Sequence, residues 1–193
     1  MKYLLTLIAF IVFGTFATQA QVTIKPAVGI NLSDYSKDPQ TGDYKSKVGW
    51  QIGGTVAFGK KWYVEPGLFY VKKSTEAVDL GTTIPDVTYD ISGLRIPVAI
   101  GFNVIGHEKS AVGLRFYGGP SAFIVTSKGG FPTNEEINNA QFGLFAGAGL
   151  DISIIFVEAS YEWSLTNVQK DISQIDVGKS RSVFIHAGVR IPL

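Results

Sequence analysis

Large apolar residues recur at every second position along most of this chain. Leu94-Arg95-Ile96-Pro97-Val98-Ala99-Ile100-Gly101-Phe102 shows the pattern plainly: each even position is large and apolar, and the odd positions are Arg, Pro, Ala and Gly. Val157–Trp163 and Val183–Ile191 alternate in the same way. A period of two is the strand period, and no segment after Gln21 keeps the three-and-four spacing of a helix. Glycine sits inside most of these runs, where it would weaken a helix. The pattern predicts eight strands, near Val22–Asn31, Val48–Gly59, Trp62–Val71, Val87–Asn103, Ala111–Val125, Gln141–Ser153, Ile155–Leu165 and Ser182–Leu193.

The predicted connections alternate in length. Leu32–Lys47, Lys72–Asp86, Thr126–Ala140 and Thr166–Arg181 are long and polar, whereas Lys60-Lys61, Val104–Ser110 and the link at Ile154 are short. All long loops therefore fall at one end of the strands. That segregation is the habit of outer-membrane barrels, with short periplasmic turns and longer outer loops. The expected fold is all-β: an eight-stranded antiparallel up-and-down transmembrane β-barrel with four long outer loops. The loops carry mixed charge; Asp34, Asp38 and Asp43 are set against Lys37, Lys45 and Lys47.

The first twenty residues read differently. Lys2 precedes an apolar run over Leu4–Phe13, broken only by Thr6, and Thr18-Gln19-Ala20 ends in small residues. This is the pattern of a secretory signal peptide over 1–20, cut before Gln21. The run is shorter than the roughly 20 residues a transmembrane helix requires. Loss of Lys2 with the leader leaves 16 basic against 16 acidic residues in 21–193, the predicted barrel domain.

The two strand faces differ in chemistry. The apolar face carries Trp50, Ile52, Val56 and Phe58, then Leu94 to Phe102 on even positions, then Val157, Ala159, Tyr161 and Trp163. Turned outward, it suits lipid, with Trp50, Trp62, Trp163 and Tyr161 as interface girdles. The other face collects Lys25, Glu65, Arg95, Arg115, Asp151, Glu158, Glu162, His186 and Arg190. Small residues stand between them: Gly53, Ala57, Gly67, Ala99, Gly101, Gly119, Gly147 and Gly188. The interior of an eight-stranded barrel is only wide enough for side chains to fill. Paired charges can fill it without stranding an ion. The expectation is a plugged lumen with a structural charge network, and the competing reading is a narrow porin-like pore.

Composition narrows the function classes. The chain has 193 residues, is 46% hydrophobic and 17% charged, and contains no cysteine. That excludes a disulfide framework, a thiolate metal site and a cysteine nucleophile. A net charge of +1 argues against nucleic acid as a partner. Of the two histidines, His107 falls in a predicted short turn, and His186 shares the inner face with Ser160, Glu158 and Glu162. A Ser–His–acid site is defined by geometry, which periodicity does not supply. No cluster has metal-ligand spacing, and no glycine-rich segment leads into a helix as a phosphate loop would. The expectation is a protein without enzymatic activity, cofactor or metal. Its expected partners are outer-membrane lipids and a protein or surface ligand at the outer loops. A soluble lipocalin-like barrel is a further alternative; it requires an apolar lumen and a polar outer face.

Several short motifs carry a family likeness. They are Glu65-Pro66-Gly67-Leu68-Phe69-Tyr70 with Lys72-Lys73, Leu94-Arg95-Ile96-Pro97-Val98, Gly118-Gly119-Pro120-Ser121-Ala122, Phe142-Gly143-Leu144 with Gly147-Ala148-Gly149, and Tyr161–Val168. On these, the chain from about residue 22 onward resembles the PorT-like family of outer-membrane β-barrel proteins, often described as porin-family proteins. The resemblance implies an eight-stranded barrel in the outer membrane of a Gram-negative bacterium and no catalytic residues. Two positions depart from it: Ser164 stands where a glycine is usual, and the chain ends Ile191-Pro192-Leu193 without a terminal aromatic.

Overall fold

Alternating side chains commit each segment to one wall with two faces, and backbone pairing then joins the segments. The computed structural model describes residues 21–35, 43–78, 87–106, 111–129, 139–167 and 179–193. The predicted leader, His107 and the centres of the four outer connections lie outside the described residues. The strands are β1 (Val22–Tyr35), β2 (Asp43–Gly59), β3 (Trp62–Val78), β4 (Val87–Ile105), β5 (Val112–Gly129), β6 (Ala140–Ile152), β7 (Ile155–Asn167), β8 (Lys179–Val189) and a short β9 (Ile191–Pro192). From β1 to β8 each pairs antiparallel with the next, and β1 also pairs with β8 and β9, closing the sheet. β9 continues β8 past Arg190 in one register, since Ala27 opposes Gly188 and Ile24 opposes Ile191. The wall is thus a closed eight-stranded antiparallel barrel. Closure satisfies backbone donors and acceptors between strands, the condition for crossing hydrocarbon.

The two short turns that lie wholly among the described residues are as tight as the sequence predicts. Lys60-Lys61 follow Gly59, which sits at φ 129°. Ser153-Ile154 join the paired Ile152 and Ile155, with Ser153 at φ 57°. A positive φ at the first of two central residues is the type II′ habit, which matches strand twist and favours glycine there.

The outer ends depart from expectation. Leu32–Lys47, Lys72–Asp86, Thr126–Ala140 and Thr166–Arg181 are not loops along their whole length. The β1–β2 ladder reaches Leu32↔Val48, and β1 runs on against β8 to Tyr35↔Ser180. The β2–β3 ladder runs out to Asp43↔Val78, and β3–β4 to Ala77↔Val87. The cause is simple. The apolar alternation stops in Lys45-Ser46-Lys47 and Ser74-Thr75-Glu76, so the pattern carries no strand signal there. Backbone pairing with the neighbouring strand continues regardless.

Aromatic residues mark both edges of the outward apolar belt. At the turn end, Trp62 and Phe102 lie 4.7 Å apart by ring centroid, and Lys61 sits over Phe102. At the other end Trp50 and Tyr70 are 5.7 Å apart, and Tyr161 and Trp163 are 4.7 Å apart. Directly opposite Trp50, Lys72 is ion-paired with Asp90 at 2.8 Å, which ends the apolar belt with charge. From Trp62 to Tyr70 along β3, a rise of about 3.3 Å per residue and a tilt near 45° give about 19 Å of height. That fits within the apolar band of about 25 Å typical of such barrels. Ile52, Leu68, Val98, Ile100 and Phe116 are exposed between the edges.

Two local features shape the wall and its lumen. The β3–β4 ladder skips from Pro66↔Val98 to Phe69↔Arg95, and β4–β5 skips from Pro97↔Ser121 to Ile100↔Gly118. Proline brings no N–H to a ladder, so these strands are less tightly joined at mid-height. Inside, Gly101 makes room for Tyr63: a Cβ there would stand 2.0 Å from the Tyr63 ring.

Candidate functional site

The charged face points into the lumen. Lys25, Glu65, Arg95, Arg115, Asp151, Glu158, Glu162 and His186 are all buried, and Arg190 is nearly so. They form two groups at different heights.

The inner group lies toward the short turns, at the convergence of β1, β3, β5, β6, β7 and the chain end. Lys25 Nζ donates to Glu65 Oε1 at 2.7 Å and to Glu158 Oε1 at 2.5 Å. Arg115 donates to both Glu158 and Asp151. Arg190 completes the chain with Nη1 at 2.9 Å from Asp151 Oδ2. Thr55 Oγ1 donates to Glu65 at 2.5 Å. Three cations thus face three carboxylates, and each carboxylate accepts from at least two donors. Such pairing is what a charge needs to reside where water is scarce.

His186 is absorbed by the same network. Its Nε2 lies 2.7 Å from Glu158 Oε2, and its Nδ1 lies 3.3 Å from Gln51 Nε2. A nucleophile–base–orienter triad needs one ring nitrogen for the acid and the other for the hydroxyl. Nε2 does meet an acid, Glu158, but Nδ1 meets Gln51 instead of the Ser160 hydroxyl. No group of three or more metal-ligating side chains occurs among the described residues.

The outer group holds Arg95 and Glu162, with Nε to Oε2 at 2.8 Å. The distribution of charge is thus uneven, with most of it in the inner group. The sequence reading also missed what lies among the charges. Phe69, Val71, Ile91, Phe123, Phe156 and Phe184 form an apolar cluster with Ala27. Phe69, Phe156 and Phe184 are at most 1% exposed. Phe156 lies under the Lys25 ammonium at 4.6 Å, and Phe184 under the Arg95 guanidinium at 4.3 Å. A cation over a ring face is attracted by the ring quadrupole. Position parity could have found Phe69 and Val71, because they share the odd face of β3 with Glu65.

The charged residues face inward around the aromatic cluster, and a broad apolar belt faces outward, whereas a lipocalin has a polar outer face. The soluble ligand-binding alternative is therefore not favoured by the placement of Arg95 and Glu158. Residues 17–170 match the outer membrane protein beta-barrel domain family. The chain belongs to that family. Its members' fold is also seen in a solved structure, the outer membrane protein OprG from Pseudomonas aeruginosa. That structure aligns with a TM-score of 0.53 at 14% identity, over 89% of this chain and 93% of OprG. The attachment invasion locus protein Ail of Yersinia pestis, crystallised with the heparin analogue sucrose octasulfate, aligns at 0.45 and 16% identity, over 90% of this chain and all 100% of Ail. The N-terminal β-barrel domain of Pseudomonas aeruginosa OprF aligns at 0.41 and 14% identity, over 90% and 100% of the two chains. No curated protein matches this chain.

Proposed function

We propose that this outer-membrane β-barrel protein has a filled, non-conducting lumen and acts through what its outer connections touch. In this reading it is exported by cleavage of the 1–20 leader, sits among outer-membrane lipids, and catalyses no reaction. The motifs from Glu65 to Val168 favour a PorT-like member of the family. The observation that carries the closed-lumen reading is the set of fully buried rings, Phe69, Phe156 and Phe184, lying among charges that pair with one another. A conducting path would have to wet these rings. The nine lumen residues Lys25, Glu65, Arg95, Arg115, Asp151, Glu158, Glu162, His186 and Arg190 then have a structural role.

The test is planar-bilayer conductance of the refolded chain without its leader, with insertion verified by heat-modifiable gel migration. Silence from an inserted barrel is the expected result, and discrete steps from the unsubstituted protein overturn it. One observation favours a narrow porin-like pore as the second reading. A cavity of about 40 Å³ sits at the turn end, with Lys25, Tyr63, Glu65, Arg115, Asp151 and Arg190 among its lining residues. If that vestibule leads onward, steps appear and grow when Arg95 or Glu158 is neutralised.

A further inference from the structure

Among the described residues, the outer end of the lumen holds two cations, Lys73 and Arg95, against one carboxylate, Glu162. Lys73 is 8% exposed, and its ammonium is attracted by Glu162 but forms no hydrogen bond or close ion pair with the described residues. It lies over the rings of Phe123 at 4.7 Å and Phe184 at 5.7 Å. The carboxylate of that region, Glu162, is already held by Arg95 at 2.8 Å. Ring faces attract a cation but accept none of its three N–H bonds in the way an oxygen or an anion does. A buried charge without a partner is costly, so the region calls for a negative group.

Two further observations point to the same place. Lys73 lines a small cavity with Phe123, Gln141, Glu162, Ser164 and Ser182. Gln141 is 5% exposed, and its Nε2 has no acceptor. Arg95, joined to the cavity through Glu162, has a buried Nη2 that also lacks an acceptor. Both of these unsatisfied atoms, Gln141 Nε2 and Arg95 Nη2, are donors. The inner group is balanced in charge, with Lys25, Arg115 and Arg190 set against Glu65, Asp151 and Glu158, although Arg190 Nε also lacks an acceptor there. The cavity has a volume of about 10 Å³, room for one water, and a halide, slightly larger, enters with a small shift of the long Lys73 and Gln141 side chains. A phosphate or a free carboxylate ion is too large.

We propose that this outer cavity binds a single monatomic anion, chloride in its ordinary surroundings, as the counter-ion of Lys73. Gln141 Nε2 donates to it from the side. The Glu162 carboxylate on the cavity wall repels it, which keeps binding weak enough to respond to ambient salt. The proposal does not depend on whether the lumen conducts, since the site stands on burial and donor count alone.

The experiment follows folding of the refolded chain in detergent micelles by urea titration, in sodium bromide exchanged against sodium gluconate at constant ionic strength. Gluconate is too large for the cavity. Above the dissociation constant, each tenfold rise in bromide raises the folding equilibrium constant about tenfold for one site. The Lys73→Met variant removes the ammonium and loses this dependence, and Gln141→Leu weakens it. Crystals of the unsubstituted protein soaked in bromide give an anomalous peak between Lys73 Nζ and Gln141 Nε2. The proposal is overturned if bromide and gluconate give the same stability, or if Lys73→Met keeps the full bromide response. A water in the cavity without anomalous signal overturns it as well, and that result stands even where a variant does not refold.

Discussion

Removing the charge of Glu158 tests whether the inner group works as a unit. Glu158 receives Lys25 at 2.5 Å and His186 at 2.7 Å, and it also receives Arg115. At an effective dielectric near 20, a unit charge about 4 Å from another contributes about 4 kcal/mol. Burying the carboxylate costs several kcal/mol in lost hydration, so much of that attraction is offset. Glu158→Gln removes the attraction but leaves Lys25, Arg115 and Arg190 facing only Glu65 and Asp151. Breaking a buried pair from one side in this way costs about 3–5 kcal/mol. The assay is urea unfolding of the refolded barrel, read by fluorescence of Trp50, Trp62 and Trp163, which stand at the belt edges. The double variant Glu158→Gln, Lys25→Met restores the balance of two cations against two carboxylates. It is expected to be more stable than the two single losses added together, by about 0.5–3 kcal/mol of coupling. A single variant within about 1 kcal/mol of the unsubstituted protein, or strict additivity in the double, would refute the network reasoning.

Other substitutions probe the wall and the plug. Ser153→Gly relieves a left-handed turn position and is expected to raise unfolding free energy by about 1 kcal/mol in the same titration. Leu68→Arg, placed mid-belt between Trp62 and Tyr70, is expected to cost about 2–4 kcal/mol, whereas an arginine at a turn residue such as Lys60 costs almost nothing. Phe184→Ala removes a ring that is wholly buried beneath Arg95, with an expected loss of about 3–5 kcal/mol. The same variant should produce bilayer conductance steps if the aromatic cluster seals the lumen; continued silence would show that the seal lies elsewhere. Gly101→Val sets a branched side chain against the Tyr63 ring and should lower refolding yield on a heat-modifiability gel.

The legible part of the fold is the part that borders two different media. Between Trp62 and Tyr70 one face of β3 meets lipid and the other the lumen, so the residues alternate and parity assigns them. The tight turns were legible too, because only Lys60-Lys61 and Ser153-Ile154 separate long alternating runs. The outer strand ends were not. Asp43–Lys47 and Ser74–Val78 carry no apolar alternation, and pairing there is a property of the neighbouring strand, which no single segment encodes. The bulge between Lys47 and Trp50 was illegible for the same reason, since it is a mismatch between two strands.

The same limit explains what was missed in the lumen. A loss of alternation after Val71 made Lys72–Asp86 read as loop, so Lys73 had no face and was left out of the inner charges. Once β3 is seen to continue, parity is immediate: Glu65, Phe69, Val71 and Lys73 share one side, and Leu68, Tyr70 and Lys72 the other. Lys72 meets Asp90 on the outer surface, while its neighbour Lys73 turns inward among Phe123, Phe184 and Gln141. Adjacent lysines of the same composition therefore have different chemistry. One is an exposed pair worth at most about 1 kcal/mol. The other is a buried cation for which the described residues offer only Glu162, a carboxylate shared with Arg95. The inner face read from sequence sets Lys25, Arg95, Arg115 and Arg190 against Glu65, Asp151, Glu158 and Glu162, and it lacks Lys73. Its inclusion gives the described residues of the outer chamber an excess positive charge, and the halide titration is the measurement on which that difference turns.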